Sequence, residues 1–148
     1  MNENLIAELV KAGLSGKSGE PSDPKDVGIW VRDEFKCIYC GEYLLKDRIR
    51  MISAQIDHVL PKSKYKEFAE LPNNRVLSCF CCNQIKGPFD PLDKMPLDIK
   101  SKLSAGTFKE YRQRLIEVCR NYIKPLLDKK GEILKQSISI IKKYDEIG

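Results

Sequence analysis

His58 is the only histidine in the chain, and it stands directly after Asp57 in the stretch QIDHVLPKSK, residues 55–64. A neutral imidazole can take a proton from water near pH 7. Carboxylate and amide oxygens are hard donors that suit Mg²⁺, an ion that keeps several waters and takes few protein ligands. Two asparagines stand in neighbouring motifs, Asn74 in LPNNRVLSC and Asn83 in CNQIKG. A base also needs a partner on its second ring nitrogen to fix tautomer and direction, which an amide oxygen can provide. Such groups together are the parts needed to hydrolyse a phosphodiester: one activates water, others bind the phosphate and steady the leaving oxygen. Taken alone, an Asp-His pair is more often structural, and only its surroundings can give it a reactive role.

What surrounds it is sulfur. Cys37-Ile38-Tyr39-Cys40 and Cys79-Phe80-Cys81-Cys82 form two C-x-x-C pairs separated by 38 residues. A two-residue spacer lets both sulfurs of a pair reach one ion at about 2.3 Å, and two pairs complete a tetrahedron. Gly41 allows the tight turn such a knuckle needs. One C-x-x-C alone could be a redox pair; two with matched spacers point to structural zinc closing a long loop. Cys81 could replace either neighbour, but only Cys79 and Cys82 keep the spacing. Cys81 is then packed or a stray thiol, and Cys119 packs in its helix.

These groups must be positioned by short elements. Leu5, Ile6, Leu9, Val10 and Leu14 recur at helical spacing over residues 3–14, and SGKSGEPSDPKD, residues 15–26, reads as a linker or exposed loop. A helical turn or two leads into Cys37, with Trp30 and Phe35 as core anchors. Imperfect alternation over residues 48–59 predicts two short strands, and CNQIKG predicts a helix just after the second cysteine pair, ended near Pro88. Tyr39, Tyr43 and Phe80 are expected to pack around the knuckles. Thr107 with Glu110 matches a capping box and opens a helix that Pro125 should kink and Gly131 break. A last helix then carries Ile133, Leu134, Ile138, Ile141 and Tyr144. The implied division is an N-terminal helix and linker (1–26), a central core with the cysteine pairs (27–95) and a basic helical extension (96–148).

With 148 residues, 42% hydrophobic and 32% charged, the chain has the size and composition of one folded domain. No apolar run is long enough to span a bilayer, and the first residues do not read as a secretion signal. Six cysteines in such a chain fit metal binding in a reducing cytoplasm better than disulfides. The net charge of +5 is uneven, since residues 100–143 hold twelve Lys/Arg against four acids. This third would supply the long-range attraction for a polyanion, although a solvated lysine-rich helix surface explains the charge equally well.

The ordered series CIYCG, IDHVLPKSK and LPNNRVLSCFCCNQIKG resembles the HNH endonucleases of the zinc-containing, four-cysteine type. The resemblance covers about residues 30–90 and implies an α+β fold, a ββα-metal core with structural zinc on Cys37, Cys40, Cys79 and Cys82, flanked by helices. It implies His58 as general base, Asn74 bonded to His58, and Asp57 with Asn83 holding catalytic Mg²⁺ or Mn²⁺. Lys86, and with less support Lys62 and Lys64, would touch backbone phosphate. Family members ending in histidine use that histidine on the metal where Asn83 stands, so this chain belongs with the asparagine variants. The implied activity is cleavage of double-stranded DNA from the minor groove, one strand per site. Two other readings are a zinc module that binds nucleic acid without cutting it, and a nuclease subunit whose C-terminal helices dock a partner protein or a second copy.

Overall fold

Helix signals in this chain are mostly local caps. In the computed structural model, which describes residues 2–17 and 19–146, the side chain of Asn2 accepts the Leu5 amide at 3.0 Å and starts α1 (Glu3–Ala12). Gly13, at φ 93°, closes it, a left-handed conformation that glycine adopts without strain. Asp23 caps α2 (Pro24–Arg32), with proline in its first turn, where the missing N–H costs nothing. Between them the expected linker is shorter than predicted and tied down. A Cβ on Gly16 would lie 2.7 Å from both Asp26 and Ile56, so only glycine lets this loop approach so closely. Ser18, in the same stretch, lies outside the described residues.

The two strands predicted over residues 48–59 are instead a helix and a strand. Asp47 accepts the Arg50 amide at 2.8 Å and caps α3 (Arg48–Ser53), so the cap outweighs the weak alternation of side chains. β1 (Gln55–His58) then pairs antiparallel with β2 (Arg75–Ser78), with Asp57 opposite Val76 and His58 opposite Arg75. The next helix, α4 (Phe80–Lys86), begins inside the second cysteine pair rather than after it, because Cys79 itself is the cap: its sulfur accepts the Cys82 amide. Chain order is thus strand, strand, helix, within a mixed α+β fold.

The core gathers Trp30, Leu44, Val59, Leu60, Val76, Leu77, Phe108, Leu115 and Ile116, all inaccessible to solvent. Phe35 lies half-buried against it. By contrast Tyr43 and Phe80 are about half exposed rather than packed. After α5 (Leu97–Lys102) comes α6, which runs unbroken from Phe108 to Asp145. The capping box does not form. The Thr107 hydroxyl turns back to the Lys102 carbonyl at 2.8 Å. Nor does Gly131 end the helix. Pro125 and Gly131 both lie within it, on a stretch where the carbonyl freed by proline can be hydrated and a glycine costs only about 1 kcal/mol. Among the described residues no helix is long and apolar enough to cross a membrane.

Candidate metal centre and adjoining cleft

The first cysteine pair sits on a small hairpin closed by the Lys36–Tyr43 bridge. Gly41, at φ 79°, turns the chain so that its amide reaches the Cys37 carbonyl at 2.8 Å. The Ile38 amide donates to the Leu77 carbonyl at 2.9 Å, which lays the knuckle against β2. The second pair lies at the start of α4. The ligand sulfurs of Cys37, Cys40, Cys79 and Cys82 all fall within 4.8 Å of one another. Tetrahedral coordination at the usual zinc–sulfur length requires sulfurs about 3.8 Å apart, and Cys40 Sγ lies 3.8 Å from Cys79 Sγ. The four cysteines therefore fit a metal such as zinc, in the Cys79/Cys82 register.

The thiols respond to one another strongly. Cys37 is pushed well down because the thiols of Cys40, Cys79 and Cys82 donate to its sulfur. Cys79 and Cys82 are pushed well up by donating to Cys37. A divalent ion would replace the protons that these thiols share. Cys81 is exposed and stands outside the cluster, whereas Cys119 is buried, as expected, with its thiol pushed up to about 12 by burial.

A hydrogen bond links the knuckle to β1. Tyr39, in the spacer between Cys37 and Cys40, is buried, and its hydroxyl donates to Asp57 Oδ2 at 2.6 Å. Lys86 reaches the same oxygen from α4: its Nζ lies 3.4 Å from Asp57 Oδ2 and donates to the His58 carbonyl at 2.8 Å. The Lys86 side chain is 1% exposed. It cannot touch phosphate, which corrects the expectation for this lysine: its stem is packed and its charge is spent on Asp57. With Oδ2 held by two donors, Oδ1 is the carboxylate oxygen without a protein donor among the described residues.

His58 lies half-buried on the neighbouring position of β1, and its Nε2 is 2.9 Å from the Ala69 carbonyl oxygen. A carbonyl can only accept, so the neutral ring carries its proton on Nε2 and leaves a lone pair on Nδ1. Burial holds the His58 pKa below the usual histidine value; Arg75 and Lys62 act in the same direction, against the Ala69 carbonyl and Asp57.

Asn74 does not bond to this ring, contrary to expectation. Its amide is consumed by backbone: Oδ1 accepts the Leu60 amide at 2.7 Å, and Nδ2 donates to the carbonyls of Leu60 at 3.2 Å and Phe68 at 3.1 Å. Fully buried, it fixes the loop that carries Ala69. Asn74 thus bears on His58 at one remove, through the segment that presents the Ala69 carbonyl.

Asp57, His58 and Asn83 line one open cleft of about 250 Å³ together with Lys17, Asp26, Lys62, Glu70 and Arg75. Asn83 Nδ2 donates to Gln55 Oε1, which turns the Asn83 carbonyl oxygen free. Asp57 and Asn83 thereby offer two hard oxygens, the donor chemistry Mg²⁺ or Mn²⁺ accepts. Lys62 is exposed at the rim. Lys64 points elsewhere, ion-paired to Asp90 at 2.6 Å and raised to about 12 by that bond, so the phosphate contact expected of it is not available while the pair holds.

Sequence reasoning missed Tyr39, Gln55, Arg75 and Ala69. Tyr39 was legible as a polar-tipped residue inside the cysteine spacer, and Gln55 as the residue two before Asp57, hence on its face of the strand. Arg75 depended on strand register, and the Ala69 carbonyl leaves no side-chain signature.

A family described as HNH endonuclease matches residues 37–91, a span running from the first cysteine through β1, β2 and α4. This match supports a nuclease-type function, and with it a nucleic-acid substrate, in general terms. No curated protein matches the chain.

Proposed function

We propose that the chain is a metal-dependent endonuclease that hydrolyses phosphodiester bonds in double-stranded DNA, working in the cytoplasm. The catalytic core is residues 27–95 on the ββα-metal plan, with the N-terminal helix and the basic C-terminal extension beside it. Zinc on Cys37, Cys40, Cys79 and Cys82 holds this core together.

The observation that carries the reading is the shared cleft: a histidine with a free Nδ1 beside two oxygen donors. His58 takes the proton from the attacking water at Nδ1, while the Ala69 carbonyl keeps Nε2 protonated and the ring directed. Asp57 and Asn83 hold one Mg²⁺ or Mn²⁺, with Tyr39, Lys86 and Gln55 setting the direction of their oxygens. When bound, that ion supplies positive charge to the scissile phosphate and the leaving oxygen. Lys62, Lys17 and Arg75 add cationic character to the cleft, and the basic residues of α6 contact backbone phosphates in a salt-dependent way.

The test is nicking of supercoiled plasmid with Mg²⁺ or Mn²⁺. His58→Ala should lose at least about 100-fold in rate, the low end of what a general base contributes. Equal rates in both proteins would defeat the assignment. A second reading, a zinc-supported module that binds nucleic acid without cutting, is favoured by the double engagement of Asp57 Oδ2 by Tyr39 and Lys86. It predicts unaltered binding and no cleavage by wild type under any divalent ion.

A further inference from the structure

A second space adjoins the cleft. Between the end of α3 and the start of α4 lies a groove of about 490 Å³, lined by Lys17, Ile52, Ser53, Ala54, Gln55 and Phe80. Its two large apolar side chains are open to solvent, Ile52 being 53% and Phe80 47% exposed. Local constraints put them there. Phe80 stands in the spacer between Cys79 and Cys82, whose sulfurs are committed to the metal cluster, and it opens α4. Ile52 belongs to α3, a helix with no buried residue. Neither side chain is packed in the core, so an aromatic ring and a branched aliphatic chain are left to line one groove.

The groove shares its border with the cleft that holds Asp57, His58 and Asn83. Lys17 lines both spaces. Gly16 sets its position, since a Cβ there would meet Asp26 and Ile56 at 2.7 Å each. Gln55, in the groove, accepts at Oε1 the bond from Asn83, in the cleft. That leaves Gln55 Nε2, which donates to nothing among the described residues, as a donor for an occupant. Phe80 and Asn83 stand three residues apart on α4, a spacing that makes side chains neighbours with Cβ atoms about 5–6 Å apart. An occupant that suits these groups has a flat apolar ring for Phe80 and an acceptor on its edge for Gln55. It also carries negative charge toward Lys17 and the cleft. A nucleotide combines all of these, and an apolar peptide side chain lacks the anion.

We propose that the groove takes one unstacked base of the DNA strand being cut, laid on Phe80 beside Ile52, next to the phosphate at Asp57 and Asn83. This rests on the endonuclease reading and narrows its substrate. Duplex DNA with an unpaired nucleotide is favoured, because extruding a paired base costs free energy that an unpaired one does not.

The test is fluorescence anisotropy of the full zinc-loaded chain, without Mg²⁺ or Mn²⁺, on duplexes of one sequence. One is fully paired, one has a single-nucleotide bulge, and one has the same bulge lacking its base. The bulged duplex should bind about tenfold more tightly than the other two, within the range for one base stacked on an aromatic ring. Phe80→Leu with its zinc retained should lose this preference, and Phe80→Trp should keep it. Equal affinity for all the duplexes overturns the proposal. So does equally tight binding of the bulge without its base, which would mean that backbone flexibility is read instead. A zinc-loaded Phe80→Leu that keeps the preference overturns it as well. If the preference appears but added Mn²⁺ yields no cleavage, the nuclease reading fails and the base subsite stands. Cleavage without the preference retains the nuclease reading and removes the subsite.

Discussion

The sulfur cluster and the neighbouring cleft make opposite use of their donors. Around the cysteines every ligand is supplied by protein, four sulfurs meeting at mutual distances within 4.8 Å, which leaves no position for substrate. In the cleft, Asp57 and Asn83 supply two oxygens and His58 one nitrogen, and the rest of the space, about 250 Å³, is open. A closed set of soft ligands suits a permanent structural ion; an open set of hard ones suits an ion that keeps water and meets phosphate. The difference teaches how closely a closed sulfur set and an open oxygen set can be packed: Tyr39, between Cys37 and Cys40, bonds Asp57, and Asn83 directly follows Cys82.

The comparison can be broken most severely at the closed side. Cys79→Ser should unfold the segment between the knuckles, because zinc sites of this kind contribute on the order of 10 kcal/mol to folding. The expected result is loss of bound zinc and of the cooperative melting transition; a variant with full zinc and unchanged melting would contradict it. Lys86→Met leaves Asp57 without its buried counter-charge and should cost about 3 kcal/mol of stability, read by urea unfolding, with zinc retained. His58→Ala should reverse the pattern, leaving melting nearly unchanged while cleavage falls.

Tyr39→Phe sharpens the comparison, since it cuts the hydrogen bond from the first knuckle to Asp57. The lost bond to a carboxylate is worth about 1.5 kcal/mol. We expect weaker Mn²⁺ binding, measured by paramagnetic resonance, at unaltered zinc stoichiometry; unchanged Mn²⁺ affinity would show that Asp57 needs no support from the knuckle.

The smallest effect is on pH. Because burial holds His58 below the ordinary value, its neutral, base-competent form persists at the usual histidine pKa of roughly 6.5. Cleavage should stay flat down to that pH and fall only on its acid side. Stability follows the same sign: the unfolded chain binds the proton more readily, so this contribution is intact above about 6.5 and is lost as pH falls through the lower folded value. A cleavage midpoint above 6.5 would contradict the burial argument.

What could be read from the sequence was whatever lay in spacing. The two C-x-x-C pairs, the Cys79/Cys82 register, the buried Trp30 and Cys119 and the presence of Asp57, His58 and Asn83 in one cleft all depend on short-range order that tertiary context did not overrule. Residues 48–53 were misread because one aspartate cap outweighed a weak alternation, and the break at Gly131 because a single glycine is a small cost against a long helix. The roles of Asn74 and Lys86 were misassigned for a different reason. Both are polar residues near a reactive one, and whether such a group serves substrate or backbone is decided by burial, which spacing does not encode.

The carbonyl of Ala69 fixes which nitrogen of His58 can accept a proton. Scanning mutagenesis replaces side chains, and at this position the side chain is already a methyl group. The determinant of the tautomer is thus invisible to the commonest experiment for finding such determinants. It would surface only as an unexplained sensitivity of cleavage to deletions or insertions that change the length of the chain between Leu60 and Asn74.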